Sequence, residues 1–180
     1  MIVKGHISIV LTMLLVSALT IGQPVALDSI RYNSALPNYF PLSKKNFKGL
    51  SSSYGYRIHP VHKKIKKHKG IDLVAGKGSG VHASAKGVVF EKDYDAGYGN
   101  YVVILHENKI RTLYGHLWLS TVKQGDTVSK GQIIGYVGDT GLVTGPHLHY
   151  EIWVDNERIN PFIFWNNAVL KRKEVTDTSK

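Results

Sequence analysis

The sequence predicts a mainly β protein, an antiparallel sheet arranged as a sandwich or half-barrel. Eighteen glycines and ten tyrosines in 180 residues favour strands and tight turns over long helices. Five strand-like runs follow one another: KGVVFE (86–91), NYVVILH (100–106), KIRTLYGHL (109–117), GQIIGYVG (131–138) and HLHYEIWV (147–154). Turn residues separate them at hairpin spacing, which suits a sandwich or partly closed barrel.

Taken in order, residues 1–22 hold one early lysine and then an uncharged apolar run from Ile7 to Ile21. This is the pattern of a signal peptide or an N-terminal membrane anchor, and it predicts export to the periplasm, the cell envelope or the medium. Residues 23–49 have weak periodicity and read as a lead-in or linker. Residues 50–165 carry the strand-like runs and form the main domain; residues 166–180 are a polar tail expected to fray. The absence of cysteine excludes disulfides, a thiol nucleophile and a thiolate metal site. Any metal must therefore be held by His, Asp or Glu. The net charge of +10 predicts acidic surroundings, and in an exported protein these are an anionic wall or membrane surface rather than nucleic acid.

Two short stretches carry the chemistry. In TGPHLHYEI (144–152), residues i and i+2 of a strand share a face, so His147, His149 and Glu151 point one way and Leu148, Tyr150 and Ile152 the other. In HKGID (68–72), His68 and Asp72 lie four residues apart, ~13 Å on a straight strand. Metal bonds of ~2.0–2.2 Å require the ligands to converge, so the backbone must bulge or bend sharply, and Gly70 permits it. Two ligands from HKGID and one from HLH make a three-ligand site with a fourth position open, as catalytic zinc sites need. The donor set suits zinc without excluding other transition metals.

Further motifs run in the same order: SSYGYRIHP (52–60), HKGID, GYGNYVVI (97–104), LYGHL (113–117), VKQGDTVSKGQIIGYVGDTG (122–141) and TGPHLHYEI. Together they resemble the lysostaphin/LytM-type zinc metalloendopeptidases, which cut peptidoglycan cross-links. The resemblance implies a β-sheet groove with Zn2+ at its floor, ligands at His68, Asp72 and His149, and non-ligand catalytic histidines at His116 and His147. It also implies metal-assisted amide hydrolysis, with peptidoglycan as partner. Gly80 departs from the family, which commonly has proline there, and a looser turn is expected.

Other residues are read more plainly. Arg57 and His59 are substrate-groove candidates, since a guanidinium clamps a carboxylate through two parallel bonds; a structural salt bridge is the other reading of Arg57. His82 and His106 are structural or surface histidines. Lys63, Lys64, Lys66, Lys67 and Lys69 form either a solvated loop or a device attracting acidic polymer. GYGN and VGDTG read as turns between strands. A non-catalytic regulator of the same fold, acting as an amidase activator, is the alternative function, weakened because all five ligand and catalytic positions are filled. A biotinyl- or lipoyl-type carrier lacks its lysine motif. Whether a regulatory partner is needed, and which bond is cut, the sequence leaves open.

Overall fold

A computed structural model describes residues 36–58 and 64–165. The described residues form twelve strands: β1 (Gly49–Ser52), β2 (Gly55–Ile58), β3 (Ile65–His68), β4 (Ile71–Val74), β5 (Gly80–His82), β6 (Gly87–Asp95), β7 (Gly99–Leu105), β8 (Ile110–Ser120), β9 (Thr127–Val128), β10 (Ile133–Val137), β11 (His147–Val154) and β12 (Glu157–Ile159). All five runs expected to be strands are strands, β6, β7, β8, β10 and β11. Ten strands make one open antiparallel sheet in the order β1-β4-β11-β8-β7-β6-β9, with β12 beside β11 and β10 bridging β5 and β8. The remaining two, β2 and β3, pair as a separate hairpin. The predicted antiparallel β architecture is thus present, as an open, branched sheet.

Branching occurs along β8. Its first half pairs with β11 from Ile110 to Gly115, and its second half pairs with β10 from Leu117 to Ser120. Between the halves stands His116, with a left-handed φ of 60° that side chains other than glycine seldom adopt. The strand therefore turns at His116, and the sheet divides there.

The apolar face of β11 anchors the core. Leu148, Tyr150 and Ile152 are fully buried, as the alternation predicts, and burial of each contributes about 1.5–3 kcal/mol. Tyr150 packs edge-on to Tyr114 at 5.4 Å and stacks on Trp165 at 5.2 Å. Leu36 and Leu42 from the lead-in join this cluster, and Leu42 bridges to Val81 of β5. Gly80, where a looser turn was expected, is instead the first residue of β5, because its backbone pairs with Tyr136. GYGN starts in the β6–β7 turn and runs into β7, while VGDTG opens the loop after β10. The segments 1–22 and 166–180, with the signal and tail readings, lie outside the described residues. Among the described residues no helix is long and apolar enough to cross a membrane.

Candidate metal centre

The HKGID stretch converges by a route different from a bulge. His68 ends β3 of the hairpin and Ile71 begins β4 of the main sheet, so the two ligands lie on different sheets at the point where the chain crosses. Gly70 makes the crossing against β11: a Cβ there would lie 2.4 Å from the Tyr150 carbonyl oxygen. Close approach, rather than an unusual φ, is what requires glycine at this point.

On β4, Asp72 faces His149 of β11 in direct register. The three side chains are only 7–10% exposed. His68 Nε2 lies 3.2 Å from Asp72 Oδ1 and 3.2 Å from His149 Nδ1, and His149 Nδ1 lies 2.9 Å from Asp72 Oδ1. A tetrahedral ion with ~2.0–2.1 Å bonds would hold its ligand atoms ~3.3–3.4 Å apart. The donor triangle fits zinc in both size and chemistry, two imidazoles and a carboxylate.

Each imidazole is held by its other nitrogen. A backbone carbonyl or a carboxylate only accepts, so the ring nitrogen facing it carries the hydrogen. His68 Nδ1–H donates to Ser53 O at 2.9 Å, leaving Nε2 toward the cluster. His149 faces a carboxylate on each side, Glu151 Oε1 from Nε2 at 3.1 Å and Asp72 Oδ1 from Nδ1 at 2.9 Å; with Nε2–H kept on Glu151, Nδ1 is the nitrogen a metal would take in place of its proton. His116 Nδ1–H donates to Thr140 O at 2.9 Å and His147 Nδ1–H to Gly145 O at 2.8 Å, so both leave Nε2 free. The His147 Nε2 is 3.6 Å from Asp72 Oδ1, and its ring lies 4.7 Å from that of His116.

Glu151 is the functional residue that motif reasoning did not single out. It is fully buried and takes four donors: His149 and Tyr98 on Oε1, and Trp153 Nε1 at 2.6 Å and Arg158 Nε at 2.9 Å on Oε2. The signal was its place on the His147–His149 face, two residues on.

Electrostatics follow from burial opposed by these contacts. Burial raises the Asp72 carboxyl, but hydrogen bonds from His147, His149 and His68 outweigh it and hold the group well below the usual range. Burial raises the Glu151 carboxyl too, yet bonding to His149 brings it down to about 2. His149 is disfavoured as a cation by burial, but Asp72 and Glu151 raise it to about 9. The pocket therefore prefers positive charge at this nitrogen, which a divalent cation provides once the proton leaves. Burial and the neighbouring imidazoles lower His116 to about 4, so it is neutral.

His68, Asp72, His116, His147 and His149 all line one open groove of about 690 Å³, with Arg57 on its rim. Arg57 comes within 3.6 Å of Asp72 Oδ2 through one terminal nitrogen. His59 lies outside the described residues. His82 and His106 are elsewhere, bonded to Gly131 O and Lys86 O.

An open antiparallel β groove with a buried His-Asp-His triad and two further histidines is the arrangement of a metal-binding protein. Residues 66–161 match peptidase family M23, and the chain belongs to that family. It is 44% identical over 128 residues to the peptidoglycan DD-endopeptidase ShyC of Vibrio cholerae, covering 71% of this chain and 30% of ShyC. Among solved structures, a zinc-containing peptidase from Vibrio cholerae superposes with a TM-score of 0.64 at 34% identity, over 71% of this chain and 39% of that one. The lysostaphin catalytic domain from Staphylococcus simulans gives 0.58 at 31% identity, over 64% and 90%. The chain spans about three-tenths of the length of the curated relatives it matches.

Proposed function

We propose that this chain is a zinc endopeptidase that hydrolyses peptide cross-links of bacterial peptidoglycan at the cell envelope. The observation that carries the reading is the convergence of five side chains from β3, β4, β8 and β11 on one groove. His68 Nε2, Asp72 Oδ1 and His149 Nδ1 would hold the metal. Zinc, when bound, acts as a Lewis acid and lowers the pKa of a coordinated water toward ~7.

The remaining chemistry belongs to His116 and His147. Each turns its Nε2 to the groove because its Nδ1–H is tied to a backbone carbonyl. A neutral imidazole so fixed takes a proton from the attacking water and returns one to the leaving amine, a contribution of ~10²–10⁴-fold. His116, neutral at pH 7, suits the acceptor role. The peptidoglycan assignment draws support from the name of ShyC and from the net charge of +10, which favours an acidic polymer. Export through residues 1–22, cleaved or retained as an anchor, brings the groove to that substrate. The filled site gives no support to the binding-only regulator.

Digestion of purified sacculi by the zinc-loaded chain, with and without chelator, tests the proposal. Chelator-sensitive loss of cross-linked fragments is expected, and mass analysis names the bond. Unchanged cross-linking by chain that retains its zinc would overturn it.

A further inference from the structure

Beside the groove, a smaller cavity of about 180 Å³ opens under the β2–β3 hairpin. Four cations line it, Arg57, Lys66, Lys67 and Lys69, against Tyr98 and the flanks of the metal ligands. Direct pairing of Arg57 with Lys66 puts both on one face of the hairpin, and His68, two residues beyond Lys66, shares it. The Lys67 ammonium lies over the Tyr54 ring at 5.5 Å, so Arg57, Lys66 and Lys69 are the cations left to act.

Among the described residues, the carboxylates near them are Glu151 and Asp72. Glu151 lines the same cavity, but its two oxygens already accept from His149, Tyr98, Trp153 and Arg158. Asp72 turns Oδ1 to the ligand imidazoles and makes with Oδ2 a long ion pair to one Arg57 terminal nitrogen at 3.6 Å, beyond a normal hydrogen bond and leaving Nε unengaged. The Arg57 Nε is buried and has no hydrogen-bond partner among the described residues. A buried guanidinium donor without an acceptor is unfavourable unless a ligand supplies one.

We propose that Arg57, Lys66 and Lys69 form an anion subsite that holds a free carboxylate of the substrate peptide next to the amide being cut. The inference rests on the peptide-hydrolase reading and deepens it. Arg57 lines both the groove and the smaller cavity, so a peptide lying at the metal reaches the subsite with a neighbouring residue. The planar guanidinium fork matches a carboxylate through two parallel bonds, and the lysines add charge without fixing direction. The lysine run is thus a short-range binding element in addition to any long-range attraction.

The test is binding to the full chain of a short peptide with a free C-terminal carboxylate, compared by calorimetry with its carboxamide twin. Both are measured with zinc and after chelation. The acid is expected to bind about 10- to 100-fold more tightly than the amide, the range for charge-assisted hydrogen bonds. That preference persists without metal, because the cations belong to the chain. It shrinks to within about threefold in Arg57→Gln and in the Lys66→Gln, Lys69→Gln double variant, with wild-type zinc content, and Arg57→Lys recovers part of it. The subsite is overturned by a wild type without preference, by a preference that vanishes with the metal, or by variants that keep it. Inorganic phosphate displacing the acid at lower concentration than the peptide itself requires would overturn the carboxylate in favour of a phosphodiester polymer. Binding needs no turnover, so a chain that cuts no sacculi but keeps this preference sinks only the peptidase reading.

Discussion

His147 and His149 stand two residues apart on one strand and are distinguished by the nitrogen each leaves free. His149 spends Nε2–H on Glu151 and offers Nδ1 to the ligand triangle, whereas His147 spends Nδ1–H on Gly145 O and offers Nε2 to the groove. Three variants should therefore separate. His149→Ala is expected to lose zinc and activity together. Glu151→Gln leaves the ligands in place but weakens the partner that orients His149, so zinc affinity falls ~10- to 100-fold. His147→Ala retains wild-type zinc and loses ~10²–10⁴-fold in hydrolysis. Metal analysis and chelator competition on the purified proteins decide it; equal zinc loss in His147→Ala and His149→Ala would abolish the division. The paired histidines were legible because strand alternation is a local property. The importance of Glu151 was not, because Tyr98 and Arg158 reach it from other turns and strands.

At the level of elements, the site is made by two departures from regular strands. One is the crossing from β3 to β4 at Gly70, and the other is the turn in β8 at His116. Sequence reasoning recognised that HKGID must distort and placed glycine at the cause. It read the distortion as a bulge or bend within one segment, because a second sheet cannot be inferred from five residues. The loop after β10 completes the arrangement. Thr140 supplies the carbonyl that holds His116, and Gly141 beside it has φ +79°, with the place of a Cβ only 2.3 Å from Gly99 N. In Gly141→Ala the loop must shift, at a cost of about 1–3 kcal/mol, and carry Thr140 off His116. The expected result is a kcat lowered by about tenfold or more with zinc content unchanged, since a 1 Å misplacement alone can cost ~10²-fold. Wild-type kcat in this variant would show that the loop does not position His116.

Across the whole molecule, one histidine outside the groove ties folding to pH. His106 is 5% exposed, donates Nδ1–H to Lys86 O at 2.7 Å and sits 2.8 Å from the Thr112 hydroxyl, which in turn bonds Tyr114. Burial lowers its pKa below the ordinary value, and the bond to Lys86 O only partly offsets this. The unfolded chain, titrating at ~6.5, then binds the proton before the folded one does. Stability is accordingly full above ~6.5 and declines as pH falls below it, until the folded state is protonated as well. Urea midpoints of the metal-free wild type and His106→Gln, measured from pH 7.5 to 5, should diverge in this sense, the wild type losing more. Parallel curves would remove His106 as the cause. The sequence marked His106 as structural or surface only by its absence from the matched motifs; its neighbours come from the bend before β6 and from β8 and were invisible.

The sequence by itself determined the β character, the strands that carry the site, the thiol-free donor set and the residues that resemble a zinc peptidase. These follow from alternation, composition and spacing, which act within a few residues. Only the tertiary structure decided which nitrogen each histidine presents, which carboxylate is buried beneath the site, and that Arg57 lines the groove with its Nε unpaired. Those properties depend on acceptors the fold sets in place: Ser53 for His68 and Thr140 for His116 from distant segments, and for His149 the nearby Glu151, fixed by Tyr98 and Arg158. A side chain's chemistry is written in its own position, but its protonation and its free valence are set by whatever the fold places against it.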